Sequence, residues 1–241
     1  MLNITNLSVN VDNKKIINNL NLAFGTGVHV LMGSNGVGKS SLAHAIMGNP
    51  DYDVTGSVKM DGTELLDFET FERAQQGVFL SFQSPTPIKG LSNFQFIRQC
   101  KKQSSDDMTA ITSSLLKFKQ AAKEFRLDKE WDKKQLNVEA SGGEKKKNEI
   151  IQMLLLEPKV AILDEPDSGL DIDSINTLAK MIKQFAQDDP TRTIIVITHY
   201  EKLITSLDPD TVTVIGKNRT VTEQGIVLAE RIFEEGFAQY E

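Results

Sequence analysis

Gly33-Ser34-Asn35-Gly36-Val37-Gly38-Lys39-Ser40 is the stretch on which the fold turns. It fits the pattern G-x-x-x-x-G-K-[ST], and its flanks supply the setting that the pattern needs. Residues 28–32 form a compact apolar run of strand type, and from Lys39 to Met47 the apolar spacing turns helical until Gly48-Asn49-Pro50 stops it. Strand, glycine loop and helix in that order make a cradle for a polyphosphate. The glycines let the backbone wrap the anion so that Ser34, Asn35, Gly36 and Val37 turn their N–H groups inward. The helix N-terminus adds partial positive charge. Lys39 is placed to reach β- and γ-phosphates and Ser40 to ligate Mg²⁺, and Ser41 closes the stretch expected to bind the nucleotide.

Outward from the loop, strands are expected at 2–11, 16–24, 56–60 and 78–82, with a short helix at 71–75 and a turn at Asp12-Asn13. Residues 93–127 read as helical and more polar, an inserted lobe. A helix follows Ser141 to 156. Strand 160–163, helix 173–187 and strand 193–197 come next, then strands 212–215 and 219–222 and a last helix at 227–237. Alternating strands and helices predict an α/β fold with a parallel sheet. The expected organisation is a single domain, with 1–84 and 157–241 as the core lobe and about 85–156 as the helical lobe.

The strand at 160–163 runs into Asp164 and Glu165, and open α/β sheets hold their ligands at the carboxyl ends of strands. Side chains alternate along a strand, which gives the two acids separate tasks: Asp164 in a Mg²⁺ shell, Glu165 polarising an attacking water. Taken alone, the pair also reads as a buried strand emerging into solvent. The phosphate loop upstream decides for the catalytic assignment. Ser141-Gly142-Gly143-Glu144 opens a helix and reads locally as a capping box, and a glycine-rich helix start is an anion site as well. His29 lies inside an apolar strand and His44 on a helix, so both are read as structural.

Composition narrows the function classes. The 241 residues are 39% hydrophobic and 25% charged, ordinary for a globular chain, and a net charge of −6 offers no basic field to nucleic acid or an anionic membrane. No apolar run approaches the ~20 residues of a membrane helix, so direct membrane insertion is not expected. Neither a signal nor a transit peptide is read at the N-terminus. The one cysteine, Cys100, excludes an internal disulfide and suits a reducing compartment, the cytoplasm by default. One thiol cannot hold an iron–sulfur cluster, and Cys100 is expected to pack on a helix.

Phosphate loop, Gln83, Ser141-Gly142-Gly143-Glu144, Asp164-Glu165, Ser168-Gly169-Leu170-Asp171 and Thr198-His199 follow one another as in ABC ATPases, which the chain resembles. That resemblance implies a nucleotide-binding domain with a RecA-like parallel-sheet core, an N-terminal antiparallel β subdomain and an inserted helical lobe. It implies ATP hydrolysis in a transient head-to-tail homodimer, with Ser141, Gly142 and Gly143 facing the γ-phosphate held by the other copy. Gln83 would then touch Mg²⁺ and relay the nucleotide state, His199 would hold the γ-phosphate, and 168–171 would cross the dimer seam. The run from Ser141 to Met153, the segment 167–173, Thr198-His199-Tyr200 and Phe82-Gln83 leading into 90–93 are similar to the SufC branch. SufC resemblance implies a cytosolic engine of iron–sulfur cluster assembly, with SufB-like and SufD-like scaffold partners. A membrane transporter's nucleotide-binding subunit presents the same motifs. The chain departs from most ABC domains in having Glu144 where they carry Gln, and in having no aromatic between Ser8 and Ile16 to stack on the base, where Val11 is the nearest substitute.

Overall fold

In the computed structural model, which describes residues 1–12, 14–101, 108–216 and 220–240, the alternating N-terminal residues form β1 (Leu2–Val11) with Leu2, Ile4, Leu7 and Val9 buried. There follow β2 (Lys14–Phe24), β3 (Gly27–Met32), α1 (Lys39–Met47), β4 (Tyr52–Met60), β5 (Thr63–Glu64), α2 (Thr70–Gln76) and β6 (Val78–Ser81). The middle of the chain is helical: α3 (Asn93–Cys100), α4 (Met108–Glu124) and α5 (Gly142–Leu156). The remainder alternates through β7 (Val160–Asp164), α6 (Ile172–Asp188), β8 (Thr193–Ile197), α7 (Glu201–Leu207), β9 (Thr211–Ile215), β10 (Thr220–Gln224) and α8 (Val227–Glu235). Asn13 of the expected turn, residues 102–107 within the expected helical stretch and Arg219 of the expected last strand lie outside the described residues. By contacts the chain divides into two units, Met1–Leu80 with Pro158–Pro166 and Ala179–Glu241, and Ser81–Glu157 with Asp167–Leu178.

The first unit holds two sheets. One is antiparallel in the order β2-β1-β4-β5, with Leu2 paired to Phe24 on one side and to Met60 on the other. Strand β4 starts four residues before the expected 56, because Gly56 sits at a register shift between Thr5 and Ser8 rather than at a strand end. The second sheet has the order β10-β9-β3-β8-β7-β6. Strands β7, β8, β3 and β9 run parallel, as expected, and every residue of β7 and β8 is buried, as in a strand covered on both faces. Strand β10 closes the edge antiparallel to β9, since residues 216–219 are too few for a parallel crossover. Leu2, Phe24, Leu31, Leu42, Ile46, Val58 and Ile195 belong to one apolar cluster. Helix α1 has only nine residues, too short to persist alone in water. Burial of Leu42 and Ile46, worth about 1.5–3 kcal/mol each, therefore fixes the helix whose N-terminus carries Lys39 and Ser40.

The second unit is organised by polar groups as much as by apolar ones. Phe94 and Phe118 meet edge to face with ring centroids 6.1 Å apart, joining α3 to α4. Deeper in, Asn148 of α5 donates to Asn93 Oδ1 (2.9 Å) and Asn137 Oδ1 (3.1 Å), and accepts from Trp131 Nε1 (3.0 Å). Asn93 donates to the Trp131 carbonyl at 2.8 Å. Cys100 ends α3 in an exposed position, contrary to the expected packed thiol; the residues this helix buries are Asn93 and Ile97.

Candidate functional site

Three parallel strands bring the candidate residues of the first unit to one level. Strand β8 lies between β3 and β7, and its Ile197 is in register with Leu31 on one side and Asp164 on the other. The chain therefore leaves the sheet at the same height three times: into the glycine loop, into Asp164-Glu165, and into Thr198-His199. All three exits are at carboxyl ends, where such sheets hold ligands.

In the loop, Lys39 Nζ donates to the carbonyls of Gly33 (2.7 Å) and Ser34 (3.0 Å). Burial pulls the ammonium below its ordinary pKa, and the charges of Glu165 and Asp164 oppose that shift. Gly38 caps α1 with φ 103° and lies against Ile16 and Ile17, so a side chain there would strain the backbone and press on both. A glycine cap leaves the amides of the first helical turn for an anion. Ser40 and Ser41 are half-buried in that turn, while Asn35 and Gly36 are exposed on the loop's rim.

Asp164 is 1% exposed, and the next residue breaks the strand: Glu165 has φ 47° and donates its N–H to the Ile197 carbonyl at 2.9 Å. A left-handed glutamate costs roughly 1–2 kcal/mol, and the bond across to β8 holds it. The two acids are separated by this turn, not by strand alternation as the sequence led one to expect. His199 is exposed, and the turn before it is fixed by Thr198 Oγ1, which accepts from the Tyr200 amide at 3.0 Å as α7 begins. The buried His29 is structural. Its Nδ1 lies 2.8 Å from Thr211 Oγ1 and its Nε2 3.1 Å from the Gly25 carbonyl, and burial lowers its pKa. His44 packs its ring against Tyr52.

Gln83, Ser141, Gly142 and Gly143 belong to the second unit. Ser141 forms the expected capping box, its Oγ accepting from the Glu144 amide at 3.3 Å while its own amide donates to Glu144 Oε2 at 2.8 Å. Gly143 approaches the loop 168–171 so closely that an added Cβ would stand 2.6 Å from the Gly169 carbonyl. Gln83 is exposed just after β6, and the residues before it are bonded to α5. Ser81 Oγ and the Phe82 amide both donate to Glu149, at 2.7 and 2.9 Å, and Lys146 Nζ donates to the Phe82 carbonyl at 2.7 Å. Sequence reasoning missed Lys146 and Glu149. The signal was available, because both fall on the helical spacing that also buries Ile150 and Met153.

A cavity of about 450 Å³ opens beside the loop, walled by Ile16, Asn18, Asn19, Val37 and Thr220 among others. Val11, the expected neighbour of the base, and Ile16 both pack against the apolar core. The aliphatic groups next to Gly38 are Ile16 and Ile17, because β2 runs past it.

The profile of the family described as ABC transporter matches residues 17–168. The chain is 40% identical over 242 aligned positions to a probable ABC transporter ATP-binding protein, SpyM3_0208, of Streptococcus pyogenes serotype M3, covering 99% of this chain and 94% of the relative. It is 37% identical to a probable ATP-dependent transporter, ycf16, of Cyanophora paradoxa, covering 98% and 93%. Among solved structures, the ATP-binding subunit of an ABC transporter superposes with a TM-score of 0.79 at 19% identity, covering 100% of this chain and 99% of the other. A dimeric ATP-binding cassette in a post-hydrolysis state with ADP and phosphate superposes at 0.76 and 18%, covering 93% and 98%. These structures share the fold. No helix among the described residues is long and apolar enough to cross a membrane. With a family match over residues 17–168 and 40% identity along nearly its whole length, the chain belongs to the ABC transporter family of ATP-binding, ATP-hydrolysing proteins.

Proposed function

We propose that this ATPase works in iron–sulfur cluster assembly, hydrolysing ATP between two copies of itself and driving rearrangement of SufB-like and SufD-like scaffold partners in the cytoplasm. The observation that supports this reading is the second unit's polar core. Lys146, Asn148, Glu149 and Gln152 are buried on α5, within the run that is similar to the SufC branch. Four buried polar residues on one short helix are costly unless bonded, and Lys146, Asn148 and Glu149 are bonded to the Gln83 loop and its supports. The names of the relatives favour a second reading, the nucleotide-binding subunit of a membrane transporter.

The chemistry proposed is the same in both. The loop amides, Lys39 and the α1 N-terminus bind the phosphates, and Glu165 takes the proton of the attacking water while His199 steadies the γ-phosphate. The donor set suits Mg²⁺: the buried carboxyl of Asp164 and the hydroxyl of Ser40 are hard oxygen donors, joined by Gln83. Among the described residues no three His, Cys, Asp or Glu converge, and Mg²⁺ takes its remaining ligands from phosphate and water. When bound, the ion supplies charge neutralisation at the phosphoryl oxygens. Ser141, Gly142 and Gly143 complete the site from a second copy, so one chain alone leaves the γ-phosphate open to water.

Measuring ATPase rate per chain across a dilution series tests the composite site. The rate should rise with concentration, and Ser141→Arg should abolish the rise; a rate independent of concentration in a demonstrated monomer rejects it. Co-purification from native cells separates the two readings. Soluble scaffold proteins that stimulate turnover support the first, and an integral membrane subunit supports the second.

A further inference from the structure

We infer that Glu149 is a positioning residue for hydrolysis: its carboxyl group clamps the Gln83 loop onto the helix that begins at Ser141. The inference rests on the proposed roles of Gln83 and Ser141 and adds the link between them. Glu149 is 4% exposed and receives two hydrogen bonds from consecutive residues, Ser81 Oγ at 2.7 Å and the Phe82 amide at 2.9 Å. One turn earlier on the same helix, Lys146 is 3% exposed and donates to the Phe82 carbonyl at 2.7 Å. The peptide units flanking Phe82 are thus gripped at both an N–H and a C=O, immediately before Gln83. A carboxyl group accepting two bonds and an ammonium donating one are charge-assisted, roughly twice as strong as neutral pairs. Side chains of the helix itself make the grip, so helix α5 and the start of the Gln83 loop move as one body.

The Asn148 network extends the same attachment. Asn148 lies between Lys146 and Glu149 in sequence and bonds Asn137, which donates to the Thr86 carbonyl at 3.3 Å, three residues beyond Gln83. The loop is therefore fastened to α5 on both sides of Gln83. A capping serine and a glycine pair need no buried carboxyl group about two turns further along. The loop does: the Phe82 N–H and C=O are both bonded to side chains of α5.

The test is steady-state ATPase kinetics and ATP affinity on the full chain for wild type, Glu149→Ala, Glu149→Gln, Gln83→Ala and the Gln83→Ala/Glu149→Ala pair. Glu149→Ala should lower kcat by roughly 10- to 100-fold, the range for groups that orient a metal ligand, with ATP affinity held within about twofold because the phosphate loop is intact. Glu149→Gln keeps an acceptor for the Phe82 amide and should restore most of the rate. The double variant should be no slower than the slower single one, since both act through Gln83. Losses that multiply in the double variant, or a Glu149→Ala rate equal to wild type, overturn the inference. If Glu149→Ala does not fold, Ser81→Ala, which removes one bond only, takes its place in the same cycle. A wild-type chain without turnover removes the proposed function and this role together, whereas multiplicative losses in an active chain remove this role alone.

Discussion

The two units hold their functional residues by different means. In the first, the backbone does the placing: β3, β8 and β7 are in register at Leu31, Ile197 and Asp164, and each proposed site residue follows within a few residues of that level. In the second, side chains do it, through Glu149, Lys146 and the Asn148 network. A sheet register is shared among many bonds, so a single substitution removes chemistry and leaves geometry. A buried polar network concentrates the geometry in a few groups, so a single substitution there removes both.

The largest effect should come from the first unit and be purely chemical. Glu165→Gln should cut kcat by ~10²- to 10⁴-fold, the contribution of a general base, with nucleotide binding and thermal stability unchanged. Near wild-type turnover shows that Glu165 is not the base. Next, the structural contrast itself can be broken by urea unfolding. Asn148→Ala strips partners from Asn93, Asn137 and Trp131 and should cost about 2–5 kcal/mol, whereas Thr198→Val, which removes one bond to the Tyr200 amide, should cost about 1 kcal/mol. Equal costs would erase the distinction between the units.

Lys39→Ala should weaken ATP binding by roughly 10- to 100-fold, from a charge-assisted bond of about 1.5–3 kcal/mol, and equilibrium titration reads it directly. Unchanged affinity removes Lys39 from the site. The smallest effect concerns His29 in the sheet. Burial lowers its folded-state pKa, so the neutral ring is favoured in the fold. Its contribution is fully present above the unfolded value of about 6.5 and is lost as pH falls below it. His29→Gln should flatten the loss of Tm between about pH 7 and pH 5, and an unchanged slope assigns that loss to other groups.

The sequence by itself determined the α/β class, the strand–loop–helix around Gly33 to Ser40, the acids at the end of β7 and the cap at Ser141. Each of these is local: a run of β-branched residues, a glycine spacing or a capping pair states its own geometry within a dozen residues. Short elements escaped it. Helix α7 was not read, strand β5 is too brief for alternation to register, and Gly56 imitated a strand boundary inside β4. Only the tertiary structure decided that Asp164 and Glu165 are parted by a left-handed turn bonded to Ile197, that Ile16 and Ile17 border the loop at Gly38, and that Glu149 grips residues 81 and 82. Those facts depend on partners about 20 to 68 positions away in the chain or on a strained backbone angle. No local preference encodes either one, because they exist only once burial has brought distant segments together and made each unsatisfied polar group costly.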